Sequence, residues 1–169
     1  MPVVVSVVTI TIFAFTQAPE EPAAPMPAAG TELRCALRQV YDGDTVSVNC
    51  GDGALKVRVW GIDAAEMGQK PWGNEARSQL RALMPQAEIR VRVMDVDRYG
   101  RAVARLYRGD SDVGLALVRQ GGAAVYARYN DSPLYRRAEA EARRERLGIW
   151  IRPGPQQTPW AWRRVNPRG

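Results

Sequence analysis

The pattern of apolar and turn residues indicates an α+β protein, a five-stranded Greek-key β-barrel with about three helices. Three consecutive strands separated by Gly-containing turns form a meander, a helix follows, and two further strands make a hairpin around a polar turn at 95–100. This arrangement is typical of a small barrel of the OB type. The strands are expected at 34–41, 45–50, 55–62, 87–94 and 101–108.

Capping residues mark the helices. Asn74 is expected to cap the first helix, and Asp112 the second, which ends at 121–122. Ser132 and Pro133 begin the third helix, and a glycine at 148 ends it. The predicted apolar stripes are Ala76, Leu80, Leu83 and Met84 on the first helix, and Leu134, Ala138, Ala142 and Leu147 on the third.

Composition divides the chain into four parts. Residues 1–18 are expected to be a signal peptide or an anchor, because the apolar run is too short to span a bilayer but suits export. A Pro/Ala-rich linker at 19–30 precedes a folded domain at 31–152. The tail at 153–169 is rich in Pro, Trp and Arg and is expected to pack back on the domain. We therefore expect an exported protein, secreted or periplasmic, or one held at the membrane by its N-terminus.

The 169-residue chain contains no histidine, which excludes catalytic triads with histidine and zinc sites that need it. Any metal ligands must be carboxylates and carbonyls, which select Ca²⁺, Mg²⁺ or Mn²⁺. The net charge is +6, and the only lysines are Lys56 and Lys70. An arginine-rich surface suits a phosphate-rich partner.

The first hairpin places the two cysteines together. A two-residue type I′ turn at Asp-Gly 42–43 would pair residues whose numbers sum to 85, so that Leu37 opposes Val48 and Cys35 opposes Cys50. Opposed residues in an antiparallel ladder lie near disulfide distance. In an exported protein a bridge is favoured, whereas two free thiols are the alternative for a cytosolic one.

Two acidic segments are expected to meet at one end of the sheet. Asp42 and Asp44 lie at the first turn, and Asp63 and Glu66 follow the third strand, whose polar face carries Arg58. Carboxylates beside a strand arginine predict a hard metal ion bound next to a phosphate.

The chain resembles the staphylococcal nuclease (thermonuclease) family in several segments with matching order and spacing, which together cover about residues 32–150. These segments are V-Y-D-G-D-T at 40–45, V-R-V-W-G-I-D-A-A-E at 57–66, D-R-Y-G-R at 97–101, A-L-V-R-Q-G at 116–121 and E-R-L-G-I-W at 145–150. The P-W-A-W-R tail is similar to that of exported relatives.

The resemblance implies roles for individual residues. The carboxylates of Asp44 and Asp63 and the main-chain carbonyl of Ala64 would hold Ca²⁺. Glu66 would be the general base towards water, Arg58 and Arg101 would hold the phosphate, and Tyr99 would lie near the nucleotide.

Two positions depart from the family pattern. Ala65 replaces a proline at the corner before the glutamate, and Ala127 stands where a nucleotide-stacking tyrosine is usual. Tyr126 or Tyr129 is the expected replacement for that tyrosine.

The resemblance implies a Ca²⁺-dependent nuclease, monomeric and without an obligate protein partner, that cleaves DNA and RNA with little sequence specificity. The alternative is an OB-fold module of the same family that binds nucleic acid without cutting it. A third hypothesis is a structural domain anchored to the cell envelope. The complete set of two aspartates, one glutamate and two arginines favours the nuclease.

Overall fold

The computed structural model describes residues 26–51, 53–85 and 88–167, so the predicted signal segment at 1–18 lies outside the described residues. The described strands are β1 (Glu32–Val40), β2 (Thr45–Asn49), β3 (Ala54–Val59), β4 (Ile62–Ala64), β5 (Glu88–Val96), β6 (Ala102–Arg108), β7 (Ser111–Asp112) and β8 (Ala123–Val125). The α-helices are α1 (Trp72–Leu83), α2 (Val113–Arg119), α3 (Pro133–Arg144) and α4 (Pro159–Val165), and short 3₁₀ turns occupy Gly148–Trp150 and Pro155–Gln157.

Five strands close into a barrel, which confirms the predicted fold. The antiparallel order is β3-β2-β1-β5-β6, and a parallel pairing of β3 with β6 closes the sheet. Alternate residues of these strands fill the interior, among them Val46, Val57, Val91, Ala104 and Leu106, all fully buried. Such burial is the main source of stability for the domain.

The predicted third strand is interrupted. It was expected to run unbroken to residue 62, but it ends at Val59 and a new strand, β4, starts at Ile62. Gly61 has a left-handed φ of 72°, and a Cβ there would lie 2.6 Å from the amide nitrogen of Asn130. As a result Asp63 leaves the barrel and lies in a separate two-stranded sheet with β8.

The first turn also differs from prediction. Leu37 opposes Val48 as expected, but a bulge after Leu37 shifts the register, and a three-residue loop at 42–44 replaces the two-residue turn. Gly43 is not needed for a left-handed φ. Instead, a Cβ at this position would lie 2.5 Å from that of Ala64 and 2.6 Å from that of Ala76. This close approach packs the loop against β4 and α1.

Two helix predictions are wrong in detail. The helix α1 begins at Trp72 rather than after Asn74, and no side chain caps it. On α3, Ser132 makes no side-chain cap, and Leu134 and Leu147 are exposed. The helix α3 ends at residue 144, before the glycine predicted to end it, and buries Tyr135, Ala138 and Ala142.

Other local predictions are confirmed. The side chain of Asp112 accepts a hydrogen bond from the Leu115 N–H at 3.1 Å and caps α2. Cys35 and Cys50 form a disulfide. The tail folds back as α4, whose Trp160 stacks on Tyr126. Within the part of the chain that the structure describes, none of the helices has the length and apolar character needed to cross a membrane.

Candidate active site

The candidate site lies at one end of the barrel, where two loops meet the end of β3. Thr45 is paired with Arg58 on β3, and Arg58 is paired with Val103 near the start of β6. This register brings the 42–44 loop beside the 97–101 turn that joins β5 to β6. Strand pairing therefore brings together Thr45 and Arg101, which are 56 residues apart in sequence.

Arg58 joins the two predicted metal ligands. Its Nη2 lies 3.1 Å from Asp44 Oδ2 and 2.9 Å from Asp63 Oδ1. Asp63 is fully buried and Asp44 nearly so. Buried carboxylates need a paired cation or hydrogen-bond donors, and Arg58 meets this requirement for both. The sequence prediction that Asp44 and Asp63 lie together agrees with the structure.

Asp44 is held by its neighbours in the loop and on β4. Its Oδ2 accepts the N–H of Ala64 at 2.8 Å, and its Oδ1 accepts the hydroxyl of Thr45 at 3.2 Å. Burial raises the pKa of the Asp44 carboxyl to about 7, against the opposing charge of Arg58, while Asp42 and Asp63 raise this pKa further. Asp44 therefore lies in a place that favours an additional positive charge.

Glu66 follows β4 at the corner that leads into α1. Its N–H donates to Gln69 Oε1 at 2.8 Å, and its carbonyl accepts the N–H of Gln69 at 2.8 Å. These two bonds fix the corner even though Ala65 replaces the usual proline. Gln69 is buried, and sequence reasoning gave it no role.

Arg101 is aimed by Asp97 within the same turn. The carboxylate of Asp97 accepts from Arg101 Nε and Nη2, both at 2.7 Å, and from the main-chain N–H groups of Tyr99 and Arg101. Hydrogen bonds and the charge of Arg101 outweigh partial burial and lower the pKa of Asp97. The remaining Arg101 nitrogen, Nη1, lies 3.4 Å from the Thr45 hydroxyl, which places the guanidinium beside Asp44. The sequence pattern predicts only a turn at Asp97.

The predicted substrate tyrosines divide into two groups. Tyr99 is 68% exposed and lies by Arg101, whose guanidinium carbon is 5.6 Å from the ring centroid. Tyr126 and Tyr129 contact each other edge to face, with centroids 5.0 Å apart, and the Tyr126 N–H donates to the Gly61 carbonyl. One face of Tyr126 is covered by the parallel ring of Trp160 at 5.7 Å. The structure thus pairs Tyr126 with Tyr129, whereas the contacts of the Tyr99 ring are with Arg98 and Arg101.

Sequence reasoning missed a third arginine in the site. Arg163 of α4 donates to both oxygens of Asp63, from Nη1 at 3.0 Å and from Nη2 at 2.8 Å, and to Glu66 Oε1 at 2.7 Å. Burial opposes the charged form of Arg163, but the hydrogen bonds and charges of Asp63 and Glu66 outweigh this and raise its pKa. The only feature of the sequence that could have indicated it is the pair Arg163-Arg164, which follows the W-A-W run of the tail.

The donor set fits a hard divalent cation. Asp44 and Asp63 converge on one nitrogen of Arg58, while Asp63 and Glu66 converge on Arg163, so positive charge already stands where the carboxylates meet. Carboxylate and carbonyl oxygens are the ligands that Ca²⁺ prefers. Among the described residues no three His, Cys, Asp or Glu side chains form a metal-binding group, so main-chain and water oxygens would have to complete the coordination.

A closed barrel with buried carboxylates and several arginines at one end is chemically suited to hydrolysis of a phosphodiester. The family model described as staphylococcal nuclease homologue matches residues 56–152. The chain therefore belongs to the staphylococcal nuclease family, as its motifs predicted, and its substrates are nucleic acids.

Individual relatives agree with this assignment. The chain is 35% identical over 150 residues to a micrococcal nuclease of Shigella flexneri, a match that covers 82% of this chain and 84% of the relative. It is 33% identical over 131 residues to an uncharacterized endonuclease of Haemophilus influenzae, covering 77% and 72% of the two chains. An uncharacterized endonuclease of Escherichia coli O157:H7 is 32% identical over 138 residues, covering 81% and 89%.

Proposed function

We propose that the protein is an exported, Ca²⁺-dependent nuclease that hydrolyses DNA and RNA with little sequence specificity. The observation that carries this proposal is the convergence of Asp44, Asp63, Glu66, Arg58 and Arg101 at one end of the barrel. Arg163 contacts both Asp63 and Glu66, so these two carboxylates share one guanidinium. A structural role alone does not require three buried or half-buried acids around two strand-end arginines.

Ca²⁺ would be held by Asp44, Asp63 and the carbonyl of Ala64. When bound, the ion supplies Lewis-acid polarisation of a non-bridging phosphate oxygen. The raised pKa of Asp44 supports this assignment, because a divalent cation would relieve the cost of burying that carboxylate.

Glu66 acts as the general base that takes a proton from the attacking water. Its corner position, held by two hydrogen bonds to Gln69, supports this role because a base must be fixed relative to the reacting phosphorus. A carboxylate performs this task without histidine, which the chain lacks.

Arg58 and Arg101 neutralise the negative charge that develops on the phosphate. Arg101 is oriented by Asp97, so its guanidinium is held in place before substrate arrives. Arg58 lies between the two proposed metal ligands, where it would contact a phosphate oxygen of the substrate. Arginine suits this work because its planar fork matches two phosphate oxygens.

The exposed rings of Tyr99 and Tyr129 are the proposed base contacts, together with Tyr126. Stacking on aromatic rings accepts any base, which is consistent with low sequence specificity. We expect a monomer that needs no protein partner. Export is supported by the apolar N-terminal segment and by the Cys35–Cys50 disulfide, since such bonds persist in oxidising compartments.

The test is digestion of single-stranded DNA and of RNA by the full chain, with Ca²⁺ and with excess chelator. Glu66→Gln should lower kcat by about 10²–10⁴-fold, the range for loss of a general base. Glu75→Gln, which removes an exposed carboxylate on α1, is the matched control and should keep full activity.

The outcomes separate the hypotheses. Cleavage that requires both Ca²⁺ and Glu66 supports the proposal. Tight binding of nucleic acid without cleavage would replace it with the OB-fold binding module. Full activity of Glu66→Gln would remove the glutamate from its assigned role.

A further inference from the structure

The C-terminal helix α4 inserts an arginine into the candidate active site. The helix is held by two aromatic contacts: Trp160 stacks on Tyr126, and the Trp162 ring lies over the backbone at Gly68, where a Cβ would be 3.0 Å from Cη2. Arg163 follows Trp162 on α4, contacts Asp63 on β4 and is half-buried. The next residue, Arg164, is exposed.

Arg163 donates hydrogen bonds to both oxygens of Asp63, the atoms that a metal ion would need as ligands. Oδ1 of Asp63 accepts from both Arg58 and Arg163, and Oδ2 accepts from Arg163. A carboxylate oxygen accepts about two hydrogen bonds, so Oδ1 is filled. The same guanidinium also takes one oxygen of Glu66.

Electrostatics sets the two-oxygen pairing of Arg163 against a divalent ion on Asp63. Arg58 reaches Asp63 through Oδ1 alone, whereas Arg163 covers both oxygens and would lie a few ångströms from an ion on either of them. Like charges at that distance repel strongly in a partly buried site. Conversely, without a metal ion Arg163 gives Asp63 a second counter-ion beside Arg58 and also pairs with Glu66.

We propose that Arg163 is an internal cation that competes with Ca²⁺ for Asp63, so that docking of α4 and binding of the ion exclude each other. The inference deepens the proposed function, because it takes Asp63 as a metal ligand. In the docked state Arg163 holds both Asp63 and Glu66, and the site is switched off. Binding of Ca²⁺ releases Arg163, frees Glu66 from this ion pair and loosens α4 from β4.

The first test is calorimetric titration of Ca²⁺ alone into the full chain, without nucleic acid. Arg163→Gln should bind Ca²⁺ at least tenfold more tightly than wild type, which corresponds to about 1.4 kcal/mol. Arg164→Gln removes the same charge from the neighbouring exposed position and should bind like wild type. Arg163→Lys, which keeps the charge, should lie between wild type and Arg163→Gln because it loses the bidentate fork.

A second test needs no variant. Amide hydrogen exchange in residues 159–165 of the wild-type chain should become faster when Ca²⁺ is added. Unchanged or slower exchange there would show that α4 stays docked on the loaded site and would overturn the exclusion.

The outcomes distinguish this inference from the proposed function. Equal Ca²⁺ affinity in wild type and Arg163→Gln would reject the competition and leave the Ca²⁺ site in place. Weaker binding by Arg163→Gln would mean that Arg163 supports the metal site, which also rejects the competition. Absence of Ca²⁺ binding in both proteins would overturn the Ca²⁺ assignment and the competition together.

Discussion

Two arginines at the same end of the barrel hold carboxylates in very different ways. Arg101 is bound by Asp97 four residues away, inside one tight turn between β5 and β6. Arg163 is bound by Asp63, which lies 100 residues away along the chain. A turn preorganises its arginine at little further cost, whereas a contact between distant segments depends on the packing of a terminal helix.

This difference suggests different duties. The carboxylate that orients Arg101 is not a candidate metal ligand, so Arg101 stays in place whether or not an ion is bound. The carboxylates that hold Arg163 are the proposed metal ligand and general base. We therefore propose that Arg101 stabilises charge on the phosphate throughout the reaction. Arg163 instead makes a contact with Asp63 and Glu66 that is broken when Ca²⁺ binds.

Of the two arginines, Arg101 is expected to contribute more to activity. Arg101→Lys should lower kcat/KM by about 10²–10³-fold, the usual loss when one donor to a developing anion is removed. Lysine keeps the charge but lacks the fork that Asp97 orients. The measurement is initial rate on single-stranded DNA at saturating Ca²⁺.

Arg163→Gln is the matched comparison in the same assay. It should retain wild-type kcat/KM at saturating Ca²⁺, because the docked contact is already broken in the working state. A loss as large as that of Arg101→Lys would show that the two arginines share one duty, and the contrast between them would disappear.

The next largest effect is expected from substitution of Asp97, the carboxylate that orients Arg101. In Asp97→Asn, the amide NH₂ would face the guanidinium and break the fork, while Oδ1 keeps the main-chain hydrogen bonds. Activity should fall about tenfold through lost orientation. The free energy of unfolding at pH 7 should fall by about 1–2 kcal/mol.

The pH dependence of that stability difference follows from the lowered pKa of Asp97 in the folded state. The unfolded chain binds a proton more readily there, so the contribution of Asp97 is complete above the ordinary carboxyl pKa. It is lost as the pH falls through the folded value. Urea unfolding of wild type and Asp97→Asn should converge in strongly acidic buffer. A constant difference at all pH values would mean that the charge of Asp97 plays no part.

The sequence predicted what depends on local pattern. The barrel follows from alternating strands and turn residues, and Asp44, Arg58 and Asp63 were found because their segments are joined by a meander. The position of Arg58 follows from strand register, which is set by which residues are buried, whereas Asp63 lies beyond the break at Gly61.

The predictions that were wrong concern residues whose position depends on close approach between distant segments. Gly43 was read as a turn residue, but its lack of a Cβ serves packing against Ala64 and Ala76. The break at Gly61 follows from contact with Asn130, 69 residues away. Arg163 carried no periodic signal at all, and its role emerges only when α4 is placed against β4.

The smallest expected effect tests how α4 is held. Trp160→Ala removes the ring stacked on Tyr126, a contact worth about 0.5–1.5 kcal/mol beyond its buried area. Because this weakens docking of Arg163 without removing its charge, Ca²⁺ should bind about two- to twelvefold more tightly, as follows from that energy range. The titration described for Arg163→Gln measures it.

Val165→Ala is the control for this last experiment, since Val165 lies on the same helix and is 78% exposed. It should leave Ca²⁺ affinity unchanged. If Trp160→Ala also leaves it unchanged while Arg163→Gln tightens it, then Arg163 docks through its own ion pairs. The helix would then only position the arginine, and the stack of Trp160 on Tyr126 would stabilise the fold without affecting Ca²⁺ binding. If all three variants bind like wild type, the contact between α4 and Asp63 has no bearing on the metal.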